Sequence, residues 1–185
     1  MSTFHSLEVK EIKKETPEAV SICFDVPEHL SNEFRFEPGQ YLTLKTIIDG
    51  NEIRRAYSIC SAPHSGELCV AVKQIERGVF STYANTNLVN GNMLDVAAPG
   101  GRFVLNGQQN KANTYAAFAA GSGITPIFSM IQNVLEQEQD NKFILMYGNK
   151  SPEDTIFYTQ LNALAQKYPS RFYLYYCFSR ANDNN

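Results

Sequence analysis

The sequence has no tryptophan, only three histidines in 185 residues, and no excess of basic residues. Its 16 Lys and Arg against 19 Asp and Glu leave a net charge of −3, which excludes the basic surface typical of nucleic-acid-binding proteins. No apolar run approaches the ~18 residues of a membrane span. The first residues also lack the basic and then apolar pattern of a secretory signal. We therefore expect a cytoplasmic protein without nucleic-acid or membrane partners.

Closely spaced metal ligands are also missing. The four cysteines include no Cys-x-x-Cys pair, and the histidines stand far apart. A zinc ribbon or an iron–sulfur cluster needs thiolates grouped in loops, so we predict no metal site. Because a cytoplasmic protein keeps its thiols reduced, free cysteines are expected. Cys23, Cys69 and Cys177 lie inside apolar strand-like runs and are predicted to be buried.

What the chain does contain is enough apolar material for a packed core, with 43% hydrophobic and 12% aromatic residues. Up to about residue 105 the apolar residues alternate with polar ones, the period of β-strands, and Asp49-Gly50 is a strong hairpin signal. Short strands separated by turns indicate an antiparallel barrel or sandwich, with one helix. The predicted strands are Ser6–Lys14, Val20–Val26, Gln40–Ile48, Glu52–Cys60 and Leu68–Gln74, and the helix is Val79–Leu88.

The second half changes period after a polar stretch at residues 106–113. Strand-like and helix-like segments alternate, which predicts a parallel, doubly wound sheet. The strands are Thr114–Ala120, Lys142–Tyr147 and Phe172–Phe178, and the helices are Pro126–Glu138 and Glu153–Tyr168. Because a dinucleotide-binding sheet normally has more than three strands, we expect this second domain to be incomplete at its C-terminus.

One strand carries Arg-Arg-Ala-Tyr-Ser-Ile-Cys-Ser at residues 54–61. Arg55 and Tyr57 share one face of a strand, and Ala56 and Ser58 share the other. A guanidinium can hold phosphate oxygens, a tyrosine ring can cover a planar cofactor, and a short hydroxyl can donate to a ring nitrogen. Taken alone, the pattern is equally typical of a half-exposed strand with a solvated arginine.

Two glycine-containing segments precede helices. Gly78–Thr82 combines a glycine with the start of a helix, where free N–H groups can bind phosphate. Gly121-Ser122-Gly123-Ile124-Thr125-Pro126 follows a strand and opens a helix, as dinucleotide-binding turns do. Each is weak alone, because an ordinary helix start or strand-to-helix turn has the same residues.

In this order the three segments resemble the ferredoxin–NADP reductase superfamily over nearly the whole chain. The segments Arg-Ala-Tyr-Ser-Ile-Cys-Ser and Phe-Ser-Arg most resemble the reductase components of bacterial phenylacetyl-CoA oxygenases, enzymes of phenylacetate degradation. The resemblance implies a six-stranded antiparallel Greek-key flavin barrel followed by a partial doubly wound parallel nucleotide-binding domain. The implied domains are an FAD-binding β-barrel at residues 1–108 and an NAD(P)-binding α/β domain at residues 109–185.

The resemblance also implies a role for each matching residue. Arg55, Ala56, Tyr57 and Ser58 would contact the flavin, with Arg55 on its phosphate, and Val72 and Lys73 would line its edge. Gly78, Val79, Phe80, Ser81 and Thr82 would hold the pyrophosphate. Gly121, Gly123 and Thr125 would lie under the nicotinamide and its phosphates, and Ser179 and Arg180 would meet the adenosine 2′-phosphate. Ser58 and Thr125 are the expected catalytic residues.

The expected activity is hydride transfer from NADPH, or from NADH, to FAD. Single electrons would then pass to an iron–sulfur carrier or an oxygenase component. A [2Fe–2S] cluster is expected only in a C-terminal domain outside this chain, and the family's Cys-Gly-Pro segment is also absent from it. Two alternatives remain at this point: an electron-transfer flavoprotein that uses no pyridine nucleotide, and a binding barrel that has lost its flavin.

Overall fold

The fold is described from a computed structural model that covers residues 3–105 and 112–180. Its first unit is a six-stranded antiparallel sheet with the order β4-β3-β6-β1-β2-β5. The elements of this unit are β1 (Phe4–Thr16), β2 (Ala19–Asp25), β3 (Tyr41–Ile48), β4 (Asn51–Ser58), β5 (Leu68–Lys73), α1 (Val79–Thr86) and β6 (Met93–Ala97). This architecture confirms the predicted six-stranded antiparallel unit.

The sheet closes on itself just beyond β4. Ile59 pairs with Val70 in an antiparallel bridge, and the Cys60 N–H donates to the Cys69 carbonyl at 2.8 Å. The alternating apolar residues of the strands point inward and are fully buried, as Ile22, Leu44 and Val96 illustrate. The result is a small barrel filled with side chains, with its closing seam between β4 and β5.

Turn chemistry sets the β3–β4 register. Asp49 and Gly50 both have positive φ, 50° and 75°, as a two-residue type I′ hairpin turn requires. Ile48 therefore pairs with Asn51, and Tyr41 pairs with Ser58 at the far end of the ladder. The Asp49-Gly50 signal thus predicted the hairpin correctly.

The sixth strand, Met93–Ala97, had no counterpart among the strands predicted from periodicity. It alternates, since Leu94 and Val96 are buried while Met93 is exposed. Five residues are too few to stand out from the flanking polar segments. The strand is recognisable once β1 and β3 are seen to pair with it on either side.

The second unit is a parallel sheet with the order β7-β8-β9. Its two helices pack on one face, around Leu145 and Tyr147, whereas Phe118 and Tyr175 on the other face are 77% and 55% exposed. The elements are β7 (Thr114–Ala120), α2 (Ile124–Gln137), β8 (Lys142–Asn149), α3 (Tyr158–Lys167) and β9 (Phe172–Phe178). None of the described helices is long and apolar enough to cross a membrane.

Helix α3 is shorter than predicted. We expected a helix from Glu153, but residues 151–157 form turns and the helix begins at Tyr158. Phe157 has φ of 62°, which interrupts helical geometry, and the Thr155 hydroxyl donates to the Ser151 carbonyl at 2.8 Å. Phe157 stacks on Phe128 with 4.3 Å between ring centroids, so tertiary packing overrides the local helical pattern.

The cysteine predictions are partly wrong. Cys23 and Cys69 lie directly opposite each other on β2 and β5 and form a disulfide, although free thiols were expected. Their separation of 46 residues hides this adjacency in the sequence. Cys177 is exposed rather than buried, because it lies on the uncovered face of β9. Cys60 is a buried free thiol.

Helix α2 joins the two units. The Ser129 hydroxyl donates to the Ser61 carbonyl at 2.6 Å, and the Gln132 side chain donates to the Cys60 carbonyl at 2.9 Å. At the exposed margin, a ring nitrogen of His64 lies 2.7 Å from Glu136 Oε2. The barrel segment that follows the closing seam is thus fixed to one helix of the second unit.

A substitution at Gly39 tests how tightly the barrel packs against α2. Gly39 has φ of 101°, and a Cβ there would collide with the Phe103 carbonyl and with Met130 of α2. We expect Gly39→Ala to lower the free energy of unfolding by about 2–5 kcal/mol, because it adds left-handed strain to overpacking.

Gly50→Ala is the matched control. Gly50 also has positive φ, but a Cβ added there would meet nothing within 4 Å, so we expect a loss of only about 1–2 kcal/mol. Urea denaturation of both variants measures the difference. Equal losses would show that the Gly39 contact with α2 is not a tight one.

Candidate functional site

A cleft of about 370 Å³ lies beside the closing seam of the barrel and reaches the start of α2. It brings together residues from three segments that are far apart in sequence, 55–58, 71–81 and 122–125. Ten of the predicted site residues line it: Arg55, Ala56, Tyr57, Ser58, Lys73, Gly78, Val79, Phe80, Ser81 and Thr125. Ala71, Ile75 and Ser122 complete the lining.

Strand β4 is an end strand in the order of the barrel sheet, with β3 as its one neighbour in that order. Four consecutive residues of β4 line this cleft. Both faces of β4 are accessible near the seam, so the alternation of Arg55 and Tyr57 with Ala56 and Ser58 does not separate them. The Arg55 guanidinium is exposed and donates to the Arg54 carbonyl at 2.7 Å. Within the described residues it has no carboxylate partner, whereas Arg54 pairs with Glu52 at 2.8 Å.

Tyr57 forms an aromatic wall of the cleft. Its ring lies 5.5 Å from that of Phe80, which is itself buried in the barrel. Burial raises the pKa of the Tyr57 hydroxyl to about 12, and the Arg55 charge opposes this rise. Tyr57 therefore stays neutral at physiological pH and offers a ring face and a hydroxyl. The neighbouring Ser58 hydroxyl has no hydrogen-bond partner in the described part of the chain.

The loop before α1 is held tightly by Ser81. The Ser81 hydroxyl accepts from the Ile75 N–H and donates to the Gly78 carbonyl, both at 3.2 Å. A Cβ on Gly78 would collide with Ser81 and Ile75, so only glycine fits there. Gly78 precedes the helix without a side-chain cap, which leaves N–H groups of the first turn directed at the cleft.

The turn from β7 into α2 forms the opposite wall. Gly121 has φ of 51°, and its carbonyl accepts from the buried Tyr147 hydroxyl at 2.8 Å. Burial raises the pKa of Tyr147, which keeps this donor protonated. The Thr125 hydroxyl donates to the Ser122 carbonyl at 3.0 Å. These bonds fix the shape of the Gly121–Thr125 turn.

A second cleft, also of about 370 Å³, lies at the carboxyl edge of the parallel sheet. Lys73 lines both clefts, and Gly121, which lines the second, is followed directly by Ser122 of the first. The ends of β8 and β9 are joined there, since Ser179 N–H donates to the Asn149 carbonyl at 3.0 Å. Its remaining lining residues are Gly148, Asn149, Lys150, Asp154, Cys177 and Ser179.

Four predicted site residues do not line either cleft with their side chains. Val72 is fully buried in the barrel core, whereas Thr82 is half-buried and Gly123 is exposed outside both linings. Arg180 is exposed beside the second cleft, where its N–H donates to the Lys150 carbonyl at 2.9 Å.

Lys150 was missed by sequence reasoning. It directly follows β8 and lies three residues beyond the end of the predicted strand Lys142–Tyr147. Ligands of open α/β sheets bind beyond the carboxyl ends of strands, which is the signal that could have found it. Asn149 Nδ2, one residue earlier, is buried without a hydrogen-bond partner in the described structure.

Two families match these two units. The oxidoreductase FAD-binding domain family matches residues 6–105, and the oxidoreductase NAD-binding domain family matches residues 118–185. The chain belongs to the ferredoxin–NADP reductase superfamily. This membership confirms the predicted family, the FAD and nicotinamide nucleotide classes of cofactor, and the class of oxidoreductase.

Curated relatives agree with this assignment. The chain is 46% identical over 180 residues to a subunit of the 1,2-phenylacetyl-CoA epoxidase of Escherichia coli (strain K12), covering 97% of this chain and 51% of that protein. It is 36% identical over 167 residues to the ferredoxin reductase component of the 3-ketosteroid-9-alpha-monooxygenase of Rhodococcus rhodochrous, covering 89% and 46%. The chain thus spans about half the length of the curated relatives it matches.

Solved structures share the fold. The ferredoxin NADP⁺ reductase of Neisseria gonorrhoeae with bound FAD and NADP superposes with a TM-score of 0.80 at 24% identity, covering 99% of this chain and 71% of that one. The described residues offer no thiolate set for an iron–sulfur cluster, since Cys23 and Cys69 are paired and Cys60 is buried.

A substitution at Ser81 tests whether its hydrogen bonds stabilise the loop before α1. We expect Ser81→Ala to lower the free energy of unfolding by about 1–2 kcal/mol, because the Ile75 N–H loses its acceptor. Thr82→Ala is the control, since no hydrogen bond of the Thr82 hydroxyl holds the loop, and its effect should stay within about 0.5 kcal/mol. Denaturant titration of cofactor-stripped protein measures both. Equal stability of the two variants would contradict a structural role for Ser81.

Proposed function

We propose that this chain forms the flavin- and nucleotide-binding part of a reductase that takes hydride from NADPH onto FAD and supplies single electrons to an iron–sulfur centre. The observation that carries the proposal is the junction of the two clefts. Lys73 and the Gly121–Thr125 turn border both, so a flavin and a nicotinamide bound in them share one boundary.

The first cleft fits FAD. The Arg55 guanidinium has no carboxylate partner among the described residues and keeps N–H groups for one phosphate, and the first-turn N–H groups of α1 can receive the other. Tyr57 offers a ring face beside the cleft, and Ser58 has an unengaged hydroxyl. These hydrogen-bond donors are numerous enough to bind the two phosphates of a dinucleotide, which favours FAD over FMN. Bound FAD supplies the capacity to accept two electrons together and release them singly.

The residues of the chain bind and orient the reactants. Ser58 would offer a hydrogen-bond donor to the flavin, and Thr125, fixed through Ser122, would help to hold the nicotinamide. Tyr147 stabilises the intervening turn through Gly121. Holding donor and acceptor in one geometry is the main contribution that a protein makes to such a transfer.

The partner class follows from the relatives. The named relatives are a subunit of a phenylacetyl-CoA epoxidase and a ferredoxin reductase component of a monooxygenase. We therefore propose that this protein serves a multicomponent oxygenase, with a phenylacetyl-CoA oxygenase as the first candidate, in the cytoplasm. The electron acceptor is an iron–sulfur carrier or an oxygenase component.

Arg55 should be the main phosphate anchor. We expect Arg55→Ala to weaken FAD binding by roughly tenfold to a hundredfold, the loss of a charge-assisted hydrogen bond worth about 1.5–3 kcal/mol. Arg54→Ala is the matched control, because Arg54 pairs with Glu52 and does not line the cleft. Fluorescence titration with FAD and FMN measures the affinities. Equal losses in both variants, or tighter binding of FMN, would refute the assignment.

Reduction of the bound flavin by each nicotinamide nucleotide tests hydride transfer and nucleotide choice together. Anaerobic NADPH should bleach the flavin faster than NADH does, because Arg180 and Ser179 follow the strand end where the adenosine ribose should lie. Arg180→Ala should raise the Michaelis constant for NADPH and leave that for NADH nearly unchanged.

Lys150→Ala is the companion variant, since Lys150 lines the same cleft. If only Lys150→Ala alters the preference, Lys150 and not Arg180 is the discriminator. If neither nucleotide bleaches the flavin, the proposed reductase activity is wrong, and an electron-transfer flavoprotein without a nucleotide substrate is the remaining interpretation.

A further inference from the structure

A cavity of about 480 Å³ lies between the barrel and helices α2 and α3, away from the two clefts. The Cys23–Cys69 disulfide forms part of its wall. Both cysteines point out of the barrel toward the second unit, since Cys69 packs with the α2 side chains whereas its neighbour Val70 lies in the barrel core. The stacked rings of Phe128 and Phe157 line the same cavity.

The two sulfur atoms differ in accessibility. Cys69 is 5% exposed, whereas Cys23 is only half-buried. A solute that enters the cavity therefore has more access to residue Cys23 than to Cys69. Once reduced, Cys69 would have a hydrogen-bond acceptor at hand, because Glu67 Oε2 lies 4.0 Å from its sulfur.

The barrel does not need the disulfide to hold these strands together. Residues Ala19–Phe24 pair with Leu68–Lys73 in an unbroken antiparallel ladder on both sides of the cysteines. The apolar residues between them, such as Ile22 and Val70, are fully buried. The disulfide can therefore open while the fold persists.

A third cysteine, Cys60, also lines the cavity, but its thiol is buried and hydrogen-bonded. The Cys60 thiol donates to the Cys69 carbonyl at 3.4 Å and is buried. Burial raises the pKa of this thiol, and the Glu15 carboxylate adds to the rise. Cys60 remains protonated and serves as an internal control that should not react in the folded protein.

The charged residues of the lining determine which solutes the cavity favours. Glu11, Glu15 and Glu67 line the cavity against one ammonium, Lys13. Glu15 is anchored, since it accepts from Ser21 at 2.8 Å and from Gln160 at 2.9 Å. Lys10 lies 4.0 Å from Glu67 and offsets part of the charge. The remaining negative potential favours neutral or cationic solutes over anionic ones.

We propose that Cys23–Cys69 is a thiol–disulfide exchange site for low-molecular-weight thiols of neutral or positive charge, reached through this cavity. A thiolate forms a new S–S bond with Cys23 and breaks the Cys23–Cys69 bond, and the electron pair leaves on Cys69, which takes a proton from solvent. A second thiolate attacks the added sulfur and releases Cys23, which is protonated in turn. Two thiols are oxidised to one disulfide, and two electrons and two protons reach the protein.

The site is independent of the proposed reductase function, and its test needs neither FAD nor NADPH. Cysteamine, 2-mercaptoethanol and mercaptoacetate are compared at equal thiolate concentration, with alkylation and peptide mass mapping at intervals. We expect the first adduct on Cys23, no label on Cys60, and opening that is roughly threefold to tenfold faster with cysteamine than with mercaptoacetate at low salt. High salt should reduce this ratio.

Matched variants sharpen the result. Glu67→Gln should lower the ratio of the opening rates with cysteamine and with mercaptoacetate. Glu28→Gln makes the same change of net charge outside the cavity wall and should leave this ratio unchanged. In single variants, Cys69→Ser should form a mixed disulfide with cystamine at Cys23, and Cys23→Ser should leave Cys69 unmodified. Opening only at the rate of global unfolding, equal modification of both cysteines, or faster opening by mercaptoacetate would each overturn the proposal.

Discussion

The attachment of α2 to the barrel seam is the constraint on which the candidate site depends. Ser129 is completely buried, and its bond to the Ser61 carbonyl, with that of Gln132 to the Cys60 carbonyl, fixes the helix against the segment that closes the barrel. A buried donor left without these acceptors costs about 1–3 kcal/mol, so the docking geometry is strongly preferred. Because α2 starts at Ile124, this docking also carries the Gly121–Thr125 turn to the edge of the first cleft.

The location of the cleft follows from how a small barrel closes. Between β4 and β5 the ladder is reduced to the Ile59–Val70 bridge, so the last residues of β4 keep both faces and an unpaired edge open. Each of the four inner strands of the sheet order, β3, β6, β1 and β2, has a neighbouring strand on both sides, and inward side chains fill the interior. A ligand can therefore approach backbone, Arg55 and the Tyr57 ring together only at this seam, where α1 also presents its first turn.

Periodicity and turn residues predicted most of the elements, and for β7 and β9 even their bounds, because those strands are short apolar runs ended by turn residues. The motif residues Arg55, Tyr57, Ser58 and Gly78 meet in one cleft, as the family resemblance implied. What local pattern could not supply is adjacency across strands. The Cys23–Cys69 pair, the sixth strand and the late start of α3 after Phe157 all depend on partners distant in sequence.

The packing of β5 and α2 between the barrel and the second unit also creates an interface with two chemically different ends. Strand β5 reaches the clefts through Lys73 and the opposite cavity through Cys69, and α2 does the same through Thr125 and Gln132. At the cleft end the lining includes Arg55 and Lys73 with free N–H groups, which suits phosphates. At the cavity end carboxylates predominate around sulfur, which repels them. The two ends therefore select solutes of opposite charge, so a small thiol can reach the cysteines without competing with a nucleotide for its site.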